Sequence, residues 1–183
     1  MNTSTDGTVG AIETRAARVE DAAEIEAVHY SAREAVYEGR VADWPPAGPD
    51  RPGRVARWEQ WLSDPDIDCI VAVDRDEILG FATIRASTDA DADATKVAEM
   101  PTLYVHPDRW RSGCGRTLCA ASLDRARERG FEELTLWVVE MNTQARDFYE
   151  AFGFVAEDVT EVDEGTTEKL VARRYRMALE AGA

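Results

Sequence analysis

"AEMPTLYVHPDRWRSGCGRTL", residues 98–118, is the stretch whose reading decides the fold. An apolar run from Met100 to Val105 meets Pro107 and then passes Gly113 and Gly115 among Arg109, Arg111 and Arg116. Beyond it, Cys119, Leu123 and Ala126 recur at helical spacing. A strand that feeds a glycine-containing turn and then a helix builds an anion site. The first helical N–H groups have no partners within the helix, and the helix dipole adds positive potential. Without side chains at Gly113 and Gly115 a phosphate can reach the backbone, and the arginines can neutralise further charge. The stretch therefore suits a phosphorylated ligand. No Gly-Lys-Ser/Thr run follows, as a nucleoside-triphosphate loop requires, and Leu118 stands where a dinucleotide fingerprint needs its third glycine. Taken alone, Gly-x-Gly also reads as a tight entry to a helix.

Working outward, "EELTLWVVE" (132–140) reads as a strand and "TQARDFYEAFG" (143–153) as a short helix with Ala145, Phe148, Tyr149 and Phe152 on one face. Upstream, "IETRAARV" (12–19) is a short strand, and Asp21 with Glu24 resembles a capping box opening a helix. The proline-rich "ADWPPAGPDRPG" (42–53) breaks that helical region, and "RVARWEQWLSD" (54–64) resumes it. "DCIVAVD" (68–74) and "ILGFATIRA" (78–86) form a hairpin, and the acidic loop "STDADADAT" (87–95) leads into the strand "KVAEMPTLYVHP" (96–107). "FVAEDVTEV" (154–162) and "EKLVARRYRMAL" (168–179) close the chain as two strands joined by an acidic turn. The order β α α β β β α β α β β implies a mixed α/β sheet with helices on its faces.

The stretch at 98–118 and "LWVVEMNTQARDFYEAFGF" (136–154) together resemble the acetyl-CoA binding core of the GCN5-related N-acetyltransferase (GNAT) superfamily. The pattern Asn-x-x-Ala-x-x-Phe-Tyr-x-x-x-Gly-Phe is complete at Asn142, Ala145, Phe148, Tyr149, Gly153 and Phe154. The resemblance spans residues 99–154 by motif and 12–178 by element order. It implies a mixed, mostly antiparallel sheet of six to seven strands, helices on both faces, and a splay between the fourth and fifth strands. The glycine loop departs from the family's usual form, because Trp110 stands three residues before Gly113 where glutamine or arginine is common.

The resemblance assigns acetyl-CoA as cosubstrate, held by Leu103, Tyr104 and Val105 on the fourth strand, by Arg111, Ser112, Gly113, Cys114, Gly115 and Arg116 in the loop, and by Asn142 and Phe148. One strand N–H, that of Val105, would polarise the thioester carbonyl as negative charge develops. Tyr149 stands at the position that protonates the departing thiolate in many relatives, and a core tyrosine is the other reading. Glu99 matches an acidic position that serves some relatives as base. Strand alternation over six residues puts it on the face of Val105; an ordinary solvated glutamate is the alternative. Asn142 suits a helix cap as well as a cofactor contact.

Composition narrows the setting. With 183 residues the chain fits one domain over 12–183 behind a disordered tail over 1–11. Acidic residues number 36 against 21 basic, a net charge of −15, which argues against nucleic acid as a partner. An acidic coat of this kind suits a salt-rich, halophilic cytoplasm, an ordinary acidic cytosolic protein being the other reading. No apolar run approaches the roughly 20 residues of a membrane span, and no secretory leader is visible. Cys69, Cys114 and Cys119 read as small core fillers rather than disulfide partners or nucleophiles. His29 and His106 lack metal-ligand spacing with them, so no metal is expected. Trp58 and Trp61 suit a core or a pocket wall, and Trp44 could line an acceptor site.

The expected activity is transfer of an acetyl group from acetyl-CoA to a primary amine, by direct attack in a ternary complex. The acceptor would be a small cationic metabolite or a protein N-terminus. The alternative is a CoA-binding module without catalysis. Strand edges near the C-terminus could pair two copies, so a homodimer is a further expectation.

Overall fold

The computed structural model describes residues 11–42, 50–163 and 169–180. The tail expected over 1–11 (apart from residue 11), Trp44, and most of the acidic turn before the last strand lie outside the described residues. The elements run β1 (Glu13–Ala16), α1 (Ala22–Tyr37), α2 (Arg51–Leu62), β2 (Asp68–Asp74), β3 (Glu77–Ala86), β4 (Val97–Val105), α3 (Cys114–Glu128), β5 (Glu133–Val139), α4 (Thr143–Phe152), β6 (Val155–Asp163) and β7 (Leu170–Ala178). Short 3₁₀ turns precede α1 and follow β4. The seven strands form one sheet in the order β1-β2-β3-β4-β5-β7-β6, antiparallel except for β4 beside β5.

β2 and β3 read as unbroken apolar runs because helices cover both of their faces. On one face, Leu118, Cys119 and Leu123 of α3 pack with Ala82, Ile84, Leu134 and Tyr175. On the other, Ile25 and Val28 of α1 and Trp58 of α2 pack with Val71, Val73 and Phe81. The three thiols are free and buried in these two cores. α2 is also tied to α1 by charge, since the buried Glu26 carboxylate accepts from Arg54 Nε at 2.6 Å and Arg51 Nε at 3.2 Å. Among the described residues no helix is long and apolar enough to cross a membrane.

Two details differ from the sequence expectation. Asp21 ends the 3₁₀ turn before α1, and its side chain gives α1 no cap. Its carboxylate instead accepts from Arg18 N and Arg15 Nη1, both at 2.7 Å, because a guanidinium offers it a charged partner. The second concerns β4. Thr83 pairs with Thr102 but Arg85 pairs with Glu99, so β4 carries one extra residue around Met100–Pro101. Pro101 has no N–H for the ladder, which suits a bulge. The bulge reverses the alternation. Ala98, Met100, Leu103 and Val105 pack on the α3 side, while Tyr104 packs with the α1–α2 core. Thr102 bonds Thr83 between hydroxyls at 2.7 Å, and Glu99 pairs with Arg85 on that second face. The expected sharing of a face by Glu99 and Val105 is therefore corrected.

Candidate active site

β4 and β5 pair only through Val97↔Glu133, Ala98↔Leu134 and Glu99↔Thr135. Beyond Glu99 they diverge, while β4 stays paired with β3 as far as Gly80↔Val105 and β5 with β7 along its length. The edge of β4 from Met100 to Val105 thus faces a gap. His106 N donates to Leu79 O at 2.8 Å on the β3 side. Backbone N–H groups alternate in direction along a strand, so the Val105 N–H points into the gap. Such groups need a partner when enclosed, and an amide-bearing chain supplies one.

At the end of β4 the chain makes the loop predicted to bind anions. Arg111 and Gly113 both have positive φ, 61° and 92°, and α3 starts at Cys114. The Gly115 and Arg116 N–H groups sit in the first turn of α3, where the helix holds no carbonyl for them. Ser112 Oγ donates to Arg109 O at 2.7 Å and accepts from Cys114 N at 3.4 Å, which tightens the turn from within. Trp110 fills the position where the sequence departs from the family pattern. Its indole Nε1 donates to Val105 O at 2.9 Å and so ties the loop to the end of β4. Arg109 is held by Glu77 at 2.8 Å, and the Arg116 guanidinium lies 5.3 Å from the Phe152 ring centre.

A cavity of about 800 Å³ opens between this loop, the splay and α4, within the size range of ligand sites. Its walls bring together Leu103, Tyr104 and Val105 with Arg111, Gly113, Gly115 and Arg116, and with Asn142, Phe148 and Tyr149. Ser112 and Cys114 are not among the lining residues. The Cys114 side chain is buried in the core, and burial pushes its thiol up to about 11. Asn142 caps α4, its Oδ1 accepting from Ala145 N at 3.1 Å, and also borders the cavity. Arg109, Trp110, Thr143 and Asp147 also line it, as does Val36 of α1.

A smaller cavity of about 130 Å³ lies in the splay itself, bordered by Met100–Tyr104, Trp137 and Val139 and by Arg33 and Tyr37 of α1. Tyr149 borders both cavities, as do Leu103 and Tyr104. Burial raises the Tyr149 phenol above its usual value, with smaller upward contributions from Cys119 and Tyr104, so the hydroxyl keeps its proton. Glu99 borders neither cavity. It sits at the fork where β4 leaves β5, only 7% exposed. There Oε2 accepts from Thr88 Oγ1 at 3.1 Å, Thr88 N at 3.3 Å and Arg85 Nη2 at 3.4 Å. Thr88 belongs to the acidic loop after β3. That loop is pinned to β7 by the buried Arg174, which bonds Asp89 at 3.1 Å and Asp91 at 2.7 Å.

Sequence reasoning missed Arg33, Val36, Tyr37 and Trp137 as cavity residues. The i, i+3 and i, i+4 spacing of Arg33, Val36 and Tyr37 on one helix was a signal for a shared face, but the strand it faces is a tertiary fact.

A family model for the acetyltransferase (GNAT) family matches residues 33–154. A mycothiol acetyltransferase from Sanguibacter keddieii is 36% identical over 106 residues, 57% of this chain and 32% of that protein. The chain thus spans about a third of that relative's length. Among solved structures, a Salmonella typhimurium protein assigned as an acetyltransferase and solved with acetyl-CoA superposes with a TM-score of 0.70 at 20% identity, covering 95% of this chain and 97% of that one. An N-acetyltransferase from Thermoplasma acidophilum in complex with coenzyme A superposes with a TM-score of 0.69 at 21% identity, covering 91% and 99%.

Proposed function

The chain belongs to the acetyltransferase (GNAT) family, and from that premise we propose that it transfers an acetyl group from acetyl-CoA to a primary amine by direct attack in a ternary complex. The observation that carries the reading is the wall of the larger cavity, where the loop glycines, Arg111 and Arg116 meet the splayed edge of β4 and Tyr149. The residues present fit coenzyme A. The first turn of α3 and the two arginines suit its phosphates, and the open β4 edge suits the amides of its pantetheine arm.

Acetyl-CoA supplies an activated acyl group. The chain's own residues do the rest. The Val105 N–H, aimed into the gap, donates to the acyl oxygen and is preorganised because Trp110 and the β3 ladder hold that strand end. Tyr149, kept protonated by burial, gives its proton to the sulfur that leaves. Glu99 takes the amine's proton through water, since it lies at the fork on the α1–α2 face and borders no cavity directly. Thr88 and Arg85 hold its carboxylate in one orientation. The net charge of −15 favours approach of an acceptor in its ammonium form, whether a small metabolite or a peptide N-terminus.

The test is thiol release from acetyl-CoA with a panel of primary amines. Amine-dependent release that Glu99→Gln lowers, while CoA still binds, supports the reading. CoA binding without release for any amine supports a non-catalytic CoA-binding module instead.

A further inference from the structure

We propose that Arg174 of β7, which borders neither cavity, is a positioning residue for the transfer: through the acidic loop after β3 it sets Glu99 and Trp137 at the fork of the splay. The proposal rests on the reading above that Glu99 takes the amine's proton, and it names what fixes that carboxylate.

Glu99, Trp137 and Arg174 stand on one face of three neighbouring strands. Trp137 lies two residues beyond Thr135, the register partner of Glu99, and is itself the register partner of Arg174. α1 and α2 pack on this face over β2, β3 and Tyr104 of β4. Over β5 and β7 the acidic loop crosses it instead, reaching Trp137 and Arg174. At the base of the loop Ser87 N donates to Val97 O at 2.9 Å. Further out, Thr88 donates to Glu99 from both its N–H and its hydroxyl. Asp89 bridges the other two residues: its Oδ1 accepts from Trp137 Nε1 and its Oδ2 from Arg174 Nη1, both at 3.1 Å. The two oxygens of Asp91 accept from Arg174 Nη1 and Nη2, each at 2.7 Å.

Arg174 is 3% exposed, and Glu157 of β6 accepts from its Nε. Three carboxylates thus meet one guanidinium that the fold encloses. A two-point pair such as that with Asp91 fixes direction as well as distance. The guanidinium also lies 5.7 Å from the Trp137 ring centre, so the indole is held at its edge by Asp89 and over its face by the cation. The bond from Arg174 is the largest cause holding the Asp91 carboxyl down to about 2, so the clamp stays charged at neutral pH. Without that cation Asp89, Asp91 and Asp93 repel one another along a short stretch of chain. The loop then leaves the sheet, taking Thr88 from Glu99 and Asp89 from Trp137. Glu99 keeps Arg85 at 3.4 Å but loses the shorter bonds that orient it. A base out of place loses rate steeply, since a misplacement of about 1 Å can cost about 10²-fold. In this way a residue outside both cavities reaches the chemistry.

The experiment measures thiol release from acetyl-CoA with glycinamide, putrescine and benzylamine, taking the probe that the wild-type chain uses fastest. Arg174→Gln should lower kcat about tenfold and leave KM for acetyl-CoA within about twofold. Asp91→Asn, a second variant at an exposed side chain, should lower kcat about threefold in the same manner. In a Glu99→Gln background each change should cost less than about twofold further, because the loop then has no base to orient. A merely structural role predicts the opposite, the full loss repeated in that background. Hydrogen exchange followed by NMR gives a readout independent of turnover. The Thr88 amide and the Trp137 indole N–H should exchange about tenfold faster in both variants, while the β2 amides stay as protected as in the wild-type chain. If Arg174→Gln speeds the β2 amides too, Asp91→Asn alone is read. Additive losses of kcat, or unchanged exchange at Thr88 and Trp137 in Asp91→Asn, would overturn the proposal. If no probe gives release although CoA binds, or if Glu99→Gln releases thiol as fast as wild type, the transfer or the base reading fails separately. Exchange then decides alone: faster exchange at Thr88 and Trp137 upholds the clamp, and unchanged exchange refutes it.

Discussion

Replacing Gly113 by alanine separates conformational cost from steric cost in the loop. Gly113 has φ 92° and ψ −12°, and a Cβ built there meets nothing within 4 Å. The penalty is therefore that of holding an L-residue in the left-handed region, about 1–2 kcal/mol. If the loop keeps its shape, the folded state carries this cost; at about 2–4 °C per kcal/mol for a domain of this size, melting falls by about 2–8 °C. If the loop relaxes instead, stability is kept and CoA affinity falls by up to about 5- to 30-fold, the same free energy read as binding. Differential scanning calorimetry and titration calorimetry with CoA measure the two shares. Gly115 provides the contrast. It lies inside α3, and its added Cβ meets Phe148 at an ordinary 3.6 Å, so Gly115→Ala should melt no lower than wild type and gain up to about 1 kcal/mol of helix propensity. Asparagine, which tolerates positive φ, should cost less than alanine at 113. The reasoning is refuted if Gly113→Ala melts and binds as wild type does, or if Gly115→Ala is the less stable of the two.

Gly80 presents the opposite case, since an added Cβ would stand 2.7 Å from Tyr104 O and 3.0 Å from Leu118 Cδ1. Gly80→Ala should destabilise by about 1–3 kcal/mol, and an unchanged melting temperature would show that β3 and β4 separate more easily than the packing suggests. Tyr149→Phe should lower kcat by about 10²-fold or more while leaving CoA affinity within about twofold; the raised phenol also predicts no loss of wild-type rate from this group up to about pH 10. His29, pushed down to about 4 from 6.5 chiefly by burial, binds a proton in the unfolded chain before it does in the folded one. Its contribution is fully present above pH 6.5 and is lost as pH falls toward 4, a change of roughly 3 kcal/mol over that window. His29→Phe should flatten the stability curve between those limits, and an unchanged slope in urea titrations there would remove His29 as the cause.

How far the sequence carried the account depends on the range of each determinant. The order of elements was legible because its signals are local. β2 is an uninterrupted apolar run bounded by aspartates, and α4 repeats Ala145, Phe148, Tyr149 and Phe152 before Gly153. The loop at 109–116 was legible for the same reason, glycine and arginine being readable as an anion turn wherever they sit. What failed was register. Alternation counted from Val105 back to Glu99 assumes a regular strand, and one extra residue near Pro101 moves Glu99 to the other face. Pro101 inside a strand was the available warning. The work of Trp110 was hidden as well, because its bond to Val105 O depends on how the loop folds back on β4. Arg33 and Trp137 stand more than a hundred residues apart in sequence, and only the splay brings them to one cavity.

The central claim is that the loop from Arg111 to Arg116 holds the diphosphate of coenzyme A and leaves its sulfur at Tyr149. A crystal structure of the chain soaked with coenzyme A measures this directly. The account predicts diphosphate oxygens within hydrogen-bonding distance of the Gly113, Gly115 or Arg116 N–H groups and the sulfur beside the Tyr149 hydroxyl. Coenzyme A bound elsewhere, with the first turn of α3 vacant and Tyr149 away from the sulfur, would contradict it.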